Sequence, residues 1–196
     1  MVIGITGSIA TGKSVVTKYL RSKGVQVIDA DEIVHDLYLQ EDIIQEIGHR
    51  FGNELIKNKK VDRKKLGEII FNNPSKRKEL NSFIHPLVAS KIIEATKAYK
   101  NTYGNLVFVE IPLLYEEGLE YLCDKIIVVY VPVDIQVTRL MLRDKIAEDY
   151  ANKKIAASMD IEEKKQKADY VIDNSFDLSM TYKNIYEVLG RLENEI

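Results

Sequence analysis

Gly7-Ser8-Ile9-Ala10-Thr11-Gly12-Lys13-Ser14 stands between the apolar run Val2-Ile3-Gly4-Ile5 and a stretch whose apolar residues recur at helical spacing. The order strand, glycine-bounded loop, lysine, hydroxyl residue, helix is that of a phosphate-binding loop. Backbone N–H groups of such a loop converge on a phosphate, the following helix aims its positive end at the same place, and Lys13 adds a mobile positive charge. The Ser14 hydroxyl is the expected magnesium ligand. Four fixed positions in eight match by chance at about 4 × 10⁻⁵ of starting points, before the flanking strand and helix are required. The nucleotide-binding set is therefore Gly7, Ser8, Ala10, Thr11, Gly12, Lys13, Ser14 and Val15.

Four more short apolar, β-branched runs follow Val2–Thr6, at residues 25–28, 106–109, 126–131 and 170–172. Buried parallel strands have this composition, and the helical patterns between them leave room for right-handed crossovers. The reading is an α/β protein, a P-loop NTPase three-layer fold on a five-stranded parallel sheet, forming one kinase domain over residues 1–196. The first helix is expected over residues 12–22 and is ended by Gly24, which suits a left-handed C′ position.

Two long segments interrupt the alternation. Residues 32–103 carry helical periodicity, with Asn73-Pro74 as an N-cap followed by proline at N1 and Pro86 as a restart or kink after His85. This is expected to be an inserted helical subdomain for the second substrate. Residues 134–168 are rich in Lys and Glu and read either as a solvated helical pair or as a lid. Arg139 and Arg143 are four apart and share one helical face, from which two guanidinium groups can clamp polyphosphate.

With 28 basic and 30 acidic residues, a formal charge of −2 provides no global attraction to nucleic acid or an anionic membrane. Phosphate recognition must be local, which favours a small anionic substrate. A single cysteine, Cys123, excludes an internal disulfide and leaves no thiolate cluster for zinc. The N-terminal apolar stretch is too short for a signal peptide or a membrane span. A cytoplasmic enzyme, monomeric by default, is expected.

Phosphoryl transfer needs charge neutralisation, alignment of the acceptor oxygen and exclusion of water more than covalent chemistry by the protein. Lys13 and Ser14 with Mg2+ would serve the donor phosphates of ATP, and Arg139 and Arg143 would spread transition-state charge. Asp31 lies just beyond the carboxyl end of the second strand, where open parallel sheets bind ligands, and can orient and deprotonate a hydroxyl. Helix capping is the alternative for both Asp29 and Asp31, ahead of Ile33, Val34 and Leu37. Glu110, at the end of the third strand, occupies a Walker-B-like position near the magnesium. His35 and His49 lack metal-ligand spacing and read as exposed or locally hydrogen-bonded.

Taken together, Gly7 to Ser14, Val27-Ile28-Asp29-Ala30-Asp31, Asp62-Arg63-Lys64-Lys65-Leu66, His85-Pro86-Leu87, Ile111-Pro112-Leu113-Leu114-Tyr115-Glu116, Arg139 with Arg143-Asp144, and Ala168 through Asn174 resemble the dephospho-CoA kinase family in order along nearly the whole chain. The resemblance implies a P-loop kinase core, a helical CoA-binding subdomain and a lid. It also implies transfer of the ATP γ-phosphate to the ribose 3′-hydroxyl of dephospho-CoA, completing coenzyme A synthesis. By the same resemblance Asp31 is the catalytic base, Arg63 and His85 lie on the acceptor side, Arg139 and Arg143 serve the phosphates, and Asn174 falls near adenine.

The chain departs from the family in two places. Lys154-Ile155-Ala156-Ala157-Ser158 stands where an arginine and a glutamine are usual, and lysine cannot reproduce a bidentate guanidinium contact. Phe176 follows Ser175 where a glycine is usual. The competing readings are a P-loop kinase for another small acceptor, such as a nucleoside or its monophosphate, and a non-catalytic ATP-binding module. A GTP-dependent switch is disfavoured because neither an Asn-Lys-x-Asp segment nor an Asp-x-x-Gly segment occurs.

Overall fold

The computed structural model describes residues 1–103 and 106–195, with side chains outside 100–103. In chain order the elements are β1 (Val2–Thr6), α1 (Lys13–Ser22), β2 (Val27–Asp29), α2 (Ala30–Leu37), α3 (Glu41–Phe51), β3 (Ile56–Lys57), β4 (Lys60–Val61), α4 (Arg63–Asn72), α5 (Pro74–Tyr103), β5 (Val107–Glu110), β6 (Lys125–Tyr130), α6 (Val133–Asp144), α7 (Glu148–Ala156), α8 (Ile161–Lys167), β7 (Tyr170–Asp173) and α9 (Leu178–Glu193). They pack as two compact units, one made of Met1–Asp29 with the chain from Ala95 onward, the other of Ala30–Glu94.

In the first unit five parallel strands lie in the order β2-β5-β1-β6-β7. Ile3 and Ile5 of β1, Phe108, Ile127, Val129 and Ile172 share one face with Val16 and Leu20 of α1 and Ile185, Val188 and Leu192 of α9. The opposite face is also covered. At Gly4 a Cβ would stand 2.6 Å from the Cys123 sulfur and 2.9 Å from a Leu114 methyl, so the chain there runs against bare backbone. Burial on both faces explains why the strands read as continuous apolar runs.

Helix α1 ends as Gly24 requires. The Gly24 N–H donates to the Arg21 carbonyl at 3.0 Å and the Val25 N–H to Leu20 at 3.1 Å, with Gly24 at φ +78. This is a Schellman stop. Because Val25 is spent in that stop, β2 begins at Val27, two residues later than its hydropathy suggests.

Within Ala30–Glu94 the buried side chains include Ile43, Ile47, Phe51, Leu55, Leu66 and Leu80. The Asn73 side chain accepts from the Lys76 N–H at 3.1 Å, capping α5. Pro86 neither ends nor restarts that helix, which continues through it. The segment is not wholly helical either. β3 and β4 pair antiparallel through Asn58 and Lys59, both at positive φ as a primed hairpin turn demands. Two-residue strands are too short to leave a period in the sequence. Among the described residues no helix is long and apolar enough to cross a membrane.

Candidate active site

The phosphate loop leaves the carboxyl end of β1 and is braced on all sides. Gly12 sits at φ +89 immediately before α1, and a Cβ there would overlap the Asn174 amide nitrogen, so the position needs glycine for conformation and for space. Ala10 also lies in the left-handed region, at φ +62, which costs an L-residue about 1–2 kcal/mol. Thr11 is buried, and its hydroxyl donates to the Ser8 carbonyl at 3.0 Å. Lys13 turns back over the loop and donates to the carbonyls of Gly7 and Ser8 at 3.0 and 3.1 Å.

Ser8, Ala10, Gly12, Lys13, Ser14 and Val15 line a cavity of about 640 Å³, within the range of small-molecule sites. Glu110, Arg139, Arg143 and Asn174 line the same cavity. Gly7 and Thr11 shape the loop from behind and do not line it. Three residues of the rim follow Asn174. Of these, Phe176 stands out in the sequence only as a departure from the family pattern, while Asp177 and Leu178 carry no chemical signal there.

Asn174, 4% exposed, acts as a strut. Its side-chain amide donates to the Thr11 carbonyl at 2.8 Å, and its side-chain oxygen accepts from the Thr181 hydroxyl at 2.8 Å. Its backbone carbonyl accepts from Arg139 at 2.8 Å. One residue thus joins the loop, α6 and α9. Thr181, buried one turn into α9, had no pattern to betray it.

Arg143 forms a two-point contact with its neighbour Asp144, at 2.8 and 3.4 Å, and Lys154 of α7 reaches the same carboxylate at 2.9 Å. These hydrogen bonds, from Arg143 first and then Lys154, hold the Asp144 carboxyl down at about 2. The tie between α6 and α7 is therefore intact above the ordinary carboxylate range and weakens only as pH falls toward that value. Lys154, where the family resemblance leads one to expect an arginine, spends its charge on this tie. Between the helices Val137, Leu140 and Ala151 are buried together.

Glu110 pairs in register with Asp29 across β5 and β2. Burial raises its pKa, and the Asp29 charge raises it further, while Lys13, a Thr17 hydrogen bond and Arg21 pull it down. Two neighbouring carboxylates, both half-buried, form a place that gains from a cation. Ser14 and Glu110 line the same cavity, and hydroxyl and carboxylate oxygens are the hard donors that magnesium takes. Among the described residues there is no cluster of three or more His, Cys, Asp or Glu able to hold a metal. Magnesium is commonly held by one or two protein oxygens plus phosphate and water, so the donor set fits.

Asp31, Arg63 and His85 belong to the Ala30–Glu94 unit. Asp31 is exposed in the first turn of α2, two residues past the end of β2. Asp62 caps α4 by accepting from the Lys65 N–H at 3.2 Å, which sets Arg63 as the first helical residue. From there the guanidinium meets His35 Nδ1 at 3.0 Å and lies over the Tyr38 ring at 5.8 Å. His35 is thus the locally hydrogen-bonded histidine the sequence allowed for. His85 is half-buried in α5.

The family model described as Dephospho-CoA kinase matches residues 1–179. The dephospho-CoA kinase of Oceanobacillus iheyensis is 44% identical over 193 residues, covering 97% of each chain. That of Bacillus licheniformis is 41% identical over 196 residues, covering 99% of this chain and 98% of the relative. Among solved structures, the dephospho-CoA kinase of Campylobacter jejuni is 34% identical with a TM-score of 0.75, covering 100% of this chain and 98% of that one. A Thermus thermophilus protein superposes at a TM-score of 0.83 with 32% identity, covering 98% and 97%. On the family model and on relatives above 40% identity along almost the entire length, the chain belongs to the dephospho-CoA kinase family.

Proposed function

We propose that the chain carries out the reaction of its family, transfer of the ATP γ-phosphate to the ribose 3′-hydroxyl of dephospho-CoA, the last step of coenzyme A synthesis, with the residues assigned as follows. The observation that carries the assignment is the cavity in which Lys13, Ser14, Glu110, Arg139 and Arg143 meet around the phosphate loop. Loop N–H groups and Lys13 hold the triphosphate, and Lys13 transfers its hydrogen bonds from the loop carbonyls to phosphate oxygen. Ser14 and Glu110 hold Mg2+, which when bound neutralises developing charge on the phosphoryl oxygens. Arg139, steadied by the Asn174 carbonyl, and Arg143 stabilise the same charge from α6. Asp31 accepts the proton of the attacking hydroxyl. Arg63 and His85 bind the acceptor within the helical subdomain, residues 32–103. The segment 134–168 supplies the lid, whose closure excludes water.

We infer a cytoplasmic enzyme, taken as a monomer by default; a formal charge of −2 gives no general attraction to an anionic membrane, and among the described residues no helix is long and apolar enough to cross one. The test is Mg2+-dependent ADP release by the purified protein with dephospho-CoA, CoA, adenosine and AMP as separate acceptors, with the product weighed by mass spectrometry. Release with dephospho-CoA alone, with a product heavier by one phosphoryl group, is the expected result. Turnover with adenosine or AMP instead would overturn the acceptor assignment.

A further inference from the structure

Lys164 of α8 is fully buried, and the phosphate chemistry does not use it. A buried ammonium keeps its charge only when partnered. Its partners are a Glu116 carboxylate oxygen, Oε1, at 2.8 Å and the Pro112 carbonyl at 3.5 Å. Both contacts continue inward. The Pro112 carbonyl also accepts from the hydroxyl of Thr6, which ends β1 one residue before Gly7, at 3.1 Å. Glu116 Oε1 also accepts from the Met159 backbone N–H at 3.1 Å, and the Met159 carbonyl accepts from the Ser8 hydroxyl at 3.4 Å.

We propose that Glu116, backed by the buried Lys164, is a positioning residue for the ATP phosphates: it fixes the Met159 backbone between α7 and α8, and Met159 in turn holds Ser8 of the phosphate loop. The proposal rests on reading the cavity as the nucleotide site. Stability alone is a poor reason for the pair, because replacing a buried ion pair with apolar residues of similar volume is often neutral or stabilising. Nor is the pair needed to dock α8, which already buries Ile161 and bonds Glu162 to the Tyr130 hydroxyl at 2.5 Å. What a charge pair adds is direction. One carboxylate oxygen receives a side-chain donor and a backbone donor together, and so sets where the α7–α8 junction meets the loop.

The test compares two charge-neutral double variants of the full chain, Glu116→Gln with Lys164→Met and Glu116→Leu with Lys164→Met. Both lack the ion pair, but only the glutamine keeps an acceptor for the Met159 N–H. Magnesium-ATP affinity is measured by calorimetry, and exchange of the Met159 amide by NMR. The leucine pair is expected to weaken ATP binding about tenfold, the size of one lost hydrogen bond, and to speed Met159 exchange. The glutamine pair is expected to restore both. Where the leucine pair does not fold, Glu116→Met with Lys164→Met takes its place, methionine being the more adaptable filler. Equal ATP affinities in the two doubles, or unchanged Met159 exchange in the apolar one, would overturn the proposal. Neither readout involves dephospho-CoA, so a parent protein that binds ATP but does not phosphorylate that acceptor would overturn the function and leave this result standing.

Discussion

A lysine that donates to two carbonyls of its own loop is in position before any phosphate arrives. Lys13 is such a residue, and in the proposed role it exchanges those carbonyls for phosphate oxygen. Lys13→Ala should weaken ATP binding by about 10- to 100-fold, from a charge-assisted hydrogen bond of ~1.5–3 kcal/mol, and lower kcat as well. Calorimetry beside steady-state kinetics checks both. Asp31→Asn should behave differently, lowering kcat on the order of 10²- to 10⁴-fold while ATP affinity is unchanged, because a general base acts only in the transition state. Full turnover by that variant would remove Asp31 from the role. Glu110 offers a prediction of opposite sign in stability. Its folded pKa stands above the ordinary 4.5, so folding favours the protonated form, and stability falls as pH rises from 4.5 through the raised value, leaving a constant cost above it. Glu110→Gln should therefore raise the melting temperature of the ligand-free protein at pH 7, with the gain vanishing near pH 4, yet weaken the Mg2+ dependence of ATP binding. A scan across pH, repeated with magnesium and ATP, reads both effects.

At the scale of elements, the sequence was legible wherever local chemistry is self-contained. Gly7 to Ser14 specified loop and helix, Gly24 stopped α1, and Asn73-Pro74 opened α5, since each needs only its neighbours in the chain. What leaves no period, or depends on contacts across the fold, stayed hidden. The β3–β4 hairpin is local but too short to show alternation, α5 runs on through Pro86, and the hold of the Asn174 side chain on the Thr11 carbonyl spans most of the chain. The same limit applies to the site. Asn174 could be placed near the nucleotide by resemblance, yet its side chain is committed to Thr11 and Thr181. Asn174→Ala removes two buried hydrogen bonds and leaves the Thr11 carbonyl without this donor, while the Thr181 hydroxyl keeps the Asp177 carbonyl at 3.1 Å; the cost is about 2 kcal/mol, or roughly 4–8 °C in melting temperature for a chain of this size. ATP affinity should fall with it, because the Thr11 carbonyl loses its anchor. A variant with unchanged melting temperature would mean that the strut is not made in solution.

At the scale of the whole molecule, the proposed assignments divide the two substrates between the two units. The cavity around the phosphate loop lies within Met1–Asp29 and the chain from Ala95 onward, whereas Asp31, Arg63 and His85 belong to Ala30–Glu94. Ligand binding stabilises whatever it contacts, by about 2.7 kcal/mol at a hundredfold excess over Kd, and amide exchange slows accordingly. Magnesium-ATP alone should therefore slow exchange in residues 7–15, along α6 and at Asn174. Dephospho-CoA alone should slow it instead around Asp31, at the start of α4 near Arg63, and in the turn of α5 that carries His85. Hydrogen-exchange mass spectrometry of the parent protein with each substrate separately resolves these segments. Protection of the phosphate loop by dephospho-CoA, with no change in residues 30–94, would mean that the acceptor is held by the first unit and that Arg63, seated on His35, serves only the packing of its own subdomain.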